Sequence, residues 1–167
     1  LEEDLSQYGR ALAVGMPAII PQGMVTVDIN SLQEVLNELL INAIKFSPEG
    51  TRIILSMDEI IQGSHKQLGI TIQNTAQASI LTDEQGNQAI GIPQNYSETV
   101  FDLFFTTQDF SERMPHEEWP SGSGLYIPRK LIKRQGGWIR VGTGTDHTGP
   151  RSAPVVRMTI LLPLENE

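Results

Sequence analysis

Ser31-Leu-Gln-Glu-Val-Leu-Asn-Glu-Leu-Leu-Ile-Asn-Ala-Ile-Lys-Phe46 is the most strongly helical stretch of the chain. At about 100° per residue, Leu32, Val35, Leu36, Leu39, Leu40 and Ala43 fall on one broad face. Asn30 and Ser31 are cap candidates, Ser31 and Glu34 have capping-box spacing, and Ser47-Pro48-Glu49-Gly50 ends the helix. The opposite stripe carries Glu38, Asn42 and Lys45, with Phe46 at its border. Most such stripes are simply solvated. These residue types also permit chemistry: a carboxylate can orient or deprotonate a nucleophile, a carboxamide oxygen can ligate Mg2+, and an ammonium can meet a phosphate. Periodicity alone favours the solvated face.

Shorter elements flank this helix. Val25–Ile29 alternates like a strand, and Arg52–Met57 and Gly69–Gln73 read as two strands joined by the polar turn Gln62–Lys66. Residues 74–96, rich in Gln, Asn, Thr and Gly, read as a long irregular loop, and Ser97–Phe105 as a short helix. Thr106–Ser121 lacks periodicity, as a lid would. A second helix is predicted from about Ser123 to Gln135, stopping at Gly136-Gly137, where glycine suits the left-handed position. Trp138–Val141 and Val155–Leu162 close the chain as a hairpin with a long Gly142–Pro154 connection. These blocks predict an α+β fold, with helices on one face of a mixed sheet. Residues 1–20 are weakly patterned and are expected to be the tail of a preceding segment, Leu1–Leu12 resembling the end of a helix. The domain proper is expected to span 21–167.

The chain has 167 residues, long enough for one domain with a real core. A mean hydropathy of −0.18 and an apolar fraction of 39% describe a globular protein. No apolar run approaches the roughly 20 residues a membrane helix needs, and the N-terminus lacks a signal-peptide pattern. The absence of cysteine removes disulfides, thiolate metal sites and cysteine nucleophiles, and fits a cytoplasmic home. A net charge of −8 excludes a general positive field for a nucleic-acid backbone. An anionic small ligand stays possible if a metal or helix N-termini handle its charge locally.

Ser121-Gly-Ser-Gly-Leu125 opens the second helix. Glycines there let phosphate oxygens approach backbone N–H groups, and the helix dipole favours the anion. No Gly-Lys-Ser or Gly-Lys-Thr follows, so this is not a Walker loop, and the strand-then-glycine order of a dinucleotide fold is missing.

In this order the pieces resemble the catalytic domain of sensor histidine kinases. Asn37-Glu-Leu-Leu-Ile-Asn-Ala-Ile-Lys-Phe-Ser-Pro48 is similar to their N box, and Ile90-Gly-Ile-Pro93 to the end of their first glycine box. Val100-Phe-Asp-Leu-Phe-Phe-Thr-Thr107 is similar to their F box, and Ser121–Ile127 to their second glycine box. The resemblance covers about residues 25–163. It implies the Bergerat fold shared with gyrase B, Hsp90 and MutL: a two-layer α/β sandwich, its sheet mostly antiparallel, with a flexible ATP lid. It further implies a domain that binds ATP and Mg2+ and gives the γ-phosphoryl group to a histidine on a separate dimerisation domain, for relay to a response regulator.

By motif position, Asn42 would ligate Mg2+, Lys45 would contact phosphate, and Phe46 would line the adenine or lid side. Glu38 would polarise the attacking group. Asn74, Gly91, Ile92 and Phe104 would also line the nucleotide, and Gly122, Ser123, Gly124 and Leu125 would form the phosphate-side turn. Since dimerisation resides in another domain of such kinases, a monomer is expected.

The chain departs from the family at the first glycine box, where an Asp-x-Gly-x-Gly run is expected. Asn74 stands in place of the Asp that accepts from the adenine amine, Ala76 in place of a glycine, and Gln77–Ala89 separates Ala76 from Gly91. An Asn carbonyl can still accept that bond, as a neutral and weaker acceptor. Asp83, inside the insertion, is the alternative acceptor, though no strand precedes it. Pro120 occupies a glycine position of the second box and has no N–H to offer. These losses support a second hypothesis, a degenerate domain kept as an interaction module with weak nucleotide binding or none. An anti-sigma-factor or repair-type ATPase of the same fold fits less well, because the F box and Lys45-Phe46 point to sensor kinases. His116-Glu-Glu-Trp-Pro120 superficially resembles a phosphoacceptor motif but sits in the expected lid, as do Arg113 and Trp119. His65 and His147 have no metal partner at suitable spacing.

Overall fold

The computed structural model describes residues 9–15, 21–103, 105, 124–149 and 151–165. In chain order the elements are β1 (Ala11–Gly15), α1 (Ile29–Lys45), β2 (Arg52–Gln62), β3 (His65–Thr75), β4 (Ala78–Thr82), β5 (Gln88–Ile90), α2 (Tyr126–Arg134), β6 (Trp138–Asp146) and β7 (Ala153–Pro163). Five strands form one sheet in the order β1-β2-β3-β7-β6, and β4 and β5 form a separate ribbon. β1 runs parallel to β2, and all other neighbours in the sheet are antiparallel. The α+β architecture with a mixed, mostly antiparallel sheet is therefore as expected. No helix among the described residues is long and apolar enough to cross a membrane.

Strand alternation explains the layering. On one face of the sheet, register aligns Met57, Ile70, Ile160 and Ile139 in one row, and Leu55, Ile72, Met158 and Val141 in the next. Val35, Leu39 and Ala43 of α1 and Ile132 of α2, all fully buried, belong to the same core. Each valine, leucine or isoleucine side chain so removed from water contributes about 1.5–3 kcal/mol. The other face is polar: Thr71 bonds Thr159 at 3.0 Å, and Arg157 donates to Gln73 at 2.7 Å. One sheet face is thus available to both helices, which makes two layers rather than three.

Several expected boundaries move. Val25–Ile29 is not a strand. Val25 and Val27 do pack inward, but only Met24 bridges to Glu165, and the chain turns into α1 at Ile29. The cap is Asp28, not Asn30 or Ser31: its carboxylate accepts from the Asn30 N–H at 3.2 Å and the Ser31 hydroxyl at 2.6 Å. That occupies Ser31 and rules out the capping box. Leu12 lies in β1, not at the end of a helix. β2 and β3 run on to a two-residue turn at Gly63-Ser64, because Gln62 pairs with His65. Residues 78–90 of the expected loop form the β4–β5 ribbon, and the expected helix 97–105 is replaced by short turns at Gln94–Tyr96 and Thr99–Phe101. β6 and β7 extend until Asp146 pairs with Ala153, shortening the long connection. α2 begins at Tyr126, three residues later than expected, and the lid expected over 106–121 lies outside the described residues.

The hydrogen bonds from Ser31 and Asn30 hold the Asp28 carboxyl below its ordinary value of 3.8. A depressed folded value means the ionised cap stabilises the fold above the unfolded value and ceases to do so as pH falls through the folded one. Asp28→Ala should therefore melt below the parent at pH 5–8, with the gap closing below about pH 4. Thermal melts at both pH values check this; a gap independent of pH would mean that the carboxylate is not the cap.

Candidate functional site

The third row on the helix side of the sheet breaks the apolar pattern. After Ile70 and Ile72, β3 turns Asn74 inward, and after Ile139 and Val141, β6 places Thr143 on the same face at the exposed edge of the row; both pair with Val156 between them. Asn74 is 2% exposed. Its Nδ2 donates to the Thr75 carbonyl at 3.0 Å and to the Phe46 carbonyl at 3.4 Å. Phe46 is the C-terminal cap of α1, its N–H returning to the Asn42 carbonyl at 3.0 Å. The end of the Glu38/Asn42/Lys45 helix is thus tied to the polar rung of the sheet.

Glu38, Asn42, Lys45 and Phe46 are half-buried, so the stripe is not an open wet face. Lys45 sits in the last turn of α1. The Asn42 Nδ2 is buried without a hydrogen-bond partner among the described residues. No group of three His, Cys, Asp or Glu able to hold a metal occurs among them either. Any metal here would rely on the Asn42 carboxamide and on ligand oxygens, which suits Mg2+, a cation commonly held by one or two protein groups and phosphates.

Residues 77–89 do not pull Ala76 and Gly91 apart. Gly91 N–H donates to the Gln77 carbonyl at 2.9 Å, closing the β4–β5 ribbon at its base and bringing Ala76 and Gly91 to neighbouring positions. Gly91 has φ +75°, and a Cβ on it would lie 2.5 Å from Thr143 Oγ1. Thr143 Oγ1 accepts from the Ile92 N–H at 2.7 Å and donates to the Ile92 carbonyl at 2.9 Å. Thr143 therefore clamps the Gly91-Ile92 segment. The sequence reading missed it, although the sign was present: β3 and β6 both place a polar residue where the apolar alternation of that sheet face ends. Asp83 is spent in the ribbon turn, accepting from the N–H groups of Gln85 and Asn87, each at 2.9 Å. These bonds, that of Asn87 foremost, hold its carboxyl below the ordinary range.

Leu125 caps α2 and packs on the core, and Gly124 before it has φ +27°. Arg129 of α2 ties the Thr99–Phe101 turn in place: it pairs with Glu98 at 2.6 Å and lies 4.6 Å from the ring centres of both Phe101 and Trp138. The sequence reading missed Arg129 as well, since its partners lie 31, 28 and 9 residues away. Tyr96 and Phe105 stack obliquely at 6.2 Å beside the same turn. Phe104, Gly122 and Ser123, and with them His116, Arg113 and Trp119, lie outside the described residues.

The chain is 32% identical over 110 residues to the sensor protein GacS of Pseudomonas syringae, a match covering 66% of this chain and 10% of that protein. It is 28% identical over 115 residues to the sensor histidine kinase WalK of Bacillus subtilis, covering 69% and 16% respectively. The match thus takes in a small fraction of the length of these relatives. Among solved structures, the mycobacterial sensor histidine kinase MprB superposes with a TM-score of 0.61 at 23% identity, over 99% of this chain and 90% of that one. A nucleotide-free catalytic domain of the histidine kinase ThkA gives 0.61 at 21%, over 98% and 84%. These two likenesses establish the fold. Residues 27–166 match the family described as histidine kinase-, DNA gyrase B- and HSP90-like ATPase, and the chain belongs to that family.

Proposed function

We propose that this chain is the ATP-binding catalytic domain of a two-component sensor histidine kinase, acting on a histidine of a separate dimerisation domain. The observation that carries the reading is the join between α1 and the sheet. A stripe of carboxylate, carboxamide and ammonium ends at Phe46, whose carbonyl is bonded to the inward-facing Asn74. Nucleotide base and phosphates would then be read by residues of one connected unit.

In this reading Asn74, Gly91 and Ile92 receive the adenine, with Thr143 holding the last two in place. Phe46 and Phe104 cover it. Lys45, Gly122, Ser123, Gly124 and Leu125 meet the phosphates. Asn42 would hold Mg2+, which when bound neutralises phosphate charge. Glu38 orients the attacking imidazole and takes up its proton as the new N–P bond forms and the bond from the γ-phosphorus to ADP breaks. Catalysis is then mostly positioning and charge placement. A response regulator as the next acceptor is supported by the structure of ThkA in complex with the response regulator protein TrrA. The reading implies a cytoplasmic location.

Calorimetric titration of the purified domain with ADP and a non-hydrolysable ATP analogue, with and without Mg2+, tests this. Micromolar to submillimolar binding that Mg2+ strengthens is the expected result. No heat up to millimolar nucleotide would sink the catalytic reading. The neutral acceptor Asn74 would then favour the other reading, an interaction module that has lost its ligand.

A further inference from the structure

The hydrogen bonds of Asn74 run in one direction only. Its Nδ2 faces two carbonyl oxygens, Thr75 at 3.0 Å and Phe46 at 3.4 Å. Neither can donate. Turning the carboxamide over would set its own oxygen against both, three acceptors together with no proton among them, in a position 2% exposed. The amide end is therefore fixed inward and Oδ1 is fixed the other way. No donor among the described residues reaches Oδ1. A carbonyl oxygen left so at a nearly buried position rewards a ligand that brings a donor and penalises one that brings another acceptor.

We infer that Asn74 is a one-way reader, an obligate acceptor toward the ligand because its amide is an obligate donor to the fold, and that aspartate cannot stand in for it. The inference rests on the nucleotide-site reading above for the identity of the ligand, not for the orientation of the side chain. Two consequences follow. The first is the adenine preference that the nucleotide-site reading already carries: a nucleobase with an exocyclic amine at the contacted edge is accepted, and one with a carbonyl there is refused. Secondly, Asn74→Asp, which brings back the residue the motif leads one to expect, removes the donor to Phe46 and Thr75 and puts a carboxylate against two carbonyl oxygens. Such a carboxyl has a raised folded value. The variant keeps its stability below about pH 4, where the protonated acid can donate, and loses it as pH rises through the raised value.

The test uses ADP and inosine diphosphate, whose base carries a carbonyl in place of the amine, on the parent, Asn74→Asp and Asn74→Ala. ADP should bind the parent about tenfold or more tighter than inosine diphosphate. Asn74→Asp should bind ADP about tenfold more weakly at pH 7.5, not more tightly, and melt about 5 °C below the parent there. Its melting should approach that of the parent at pH 4, whereas Asn74→Ala should show a gap that does not depend on pH. An Asn74→Asp protein that melts with the parent across this range, or binds ADP as well or better, overturns the inference. Equal affinity of the parent for the two diphosphates overturns the selection step. If the parent binds neither, the nucleotide reading and the selection step both fail, while the melting series still decides the orientation of Asn74.

Discussion

Asn42→Ala is expected to abolish the Mg2+-dependent part of nucleotide binding, weakening ADP affinity in Mg2+ by about a hundredfold, without unfolding the domain. Loss of binding and retention of stability follow from the same observation. The Asn42 Nδ2 is buried without a partner among the described residues. Removing a buried polar group that is already unsatisfied relieves its desolvation cost, so the apo variant should melt at or slightly above the parent. The backbone bond from Phe46 N–H to the Asn42 carbonyl does not need the side chain and keeps the end of α1 closed. A melting series with and without Mg-ADP reads both effects. The parent gains stability as ligand exceeds its dissociation constant, whereas the variant gains only the Mg2+-independent part. A variant with the full Mg2+ increment would show that another group holds the metal. A collapsed apo variant would assign Asn42 to the fold instead.

How much of this was legible in the sequence depended on which residues a pattern had to connect. The Glu38/Asn42/Lys45 stripe and the apolar face opposite it both obey the helical period, so one segment sufficed to find them. The inner strands were legible for a similar reason, since Ile70, Ile72, Ile160 and Leu162 alternate over a buried face. Strand ends were underestimated because pairing continues where the side chains turn polar: Glu59 and Lys66, on facing strands, form an ion pair at 3.1 Å. The β4–β5 ribbon was invisible because among its strand residues only Leu81 and Ala89 are buried, too few to show a period. The clamp at the site was harder still. Thr143 reaches Ile92 across 51 residues, and Asn74 reaches Phe46 across 28. No local rule foresees such bonds; only the register of the sheet brings them together.

Gly137→Ala is expected to be strongly destabilising, and its neighbour Gly136→Ala separates the two reasons a glycine can be required. α2 ends in a Schellman motif: the N–H of Gly137 returns to the Ile132 carbonyl at 3.0 Å and that of Gly136 to the Lys133 carbonyl at 3.1 Å. Gly136 supplies the left-handed residue, with φ +73°, and a Cβ there would meet nothing nearer than Pro163 at 3.7 Å. Alanine at 136 therefore carries only backbone strain, about 1 kcal/mol. Gly137 is a matter of space. A Cβ on it would lie 2.6 Å from the Leu161 carbonyl oxygen, 2.8 Å from Ile132 and 3.0 Å from Leu162. The first contact is backbone of β7, the second a fully buried side chain of α2, and neither can yield without parting the helix from the sheet. Overpacking at such a point costs about 3 kcal/mol, which for a chain of this size lowers the melting temperature by about 6–12 °C against about 2–4 °C for Gly136→Ala. Melting the two variants side by side checks the order. Equal losses would mean that the junction of α2 and β6 yields to a methyl group, and that the tight seat of the helix on the strands is not what fixes the position of Arg129 and the turn it holds.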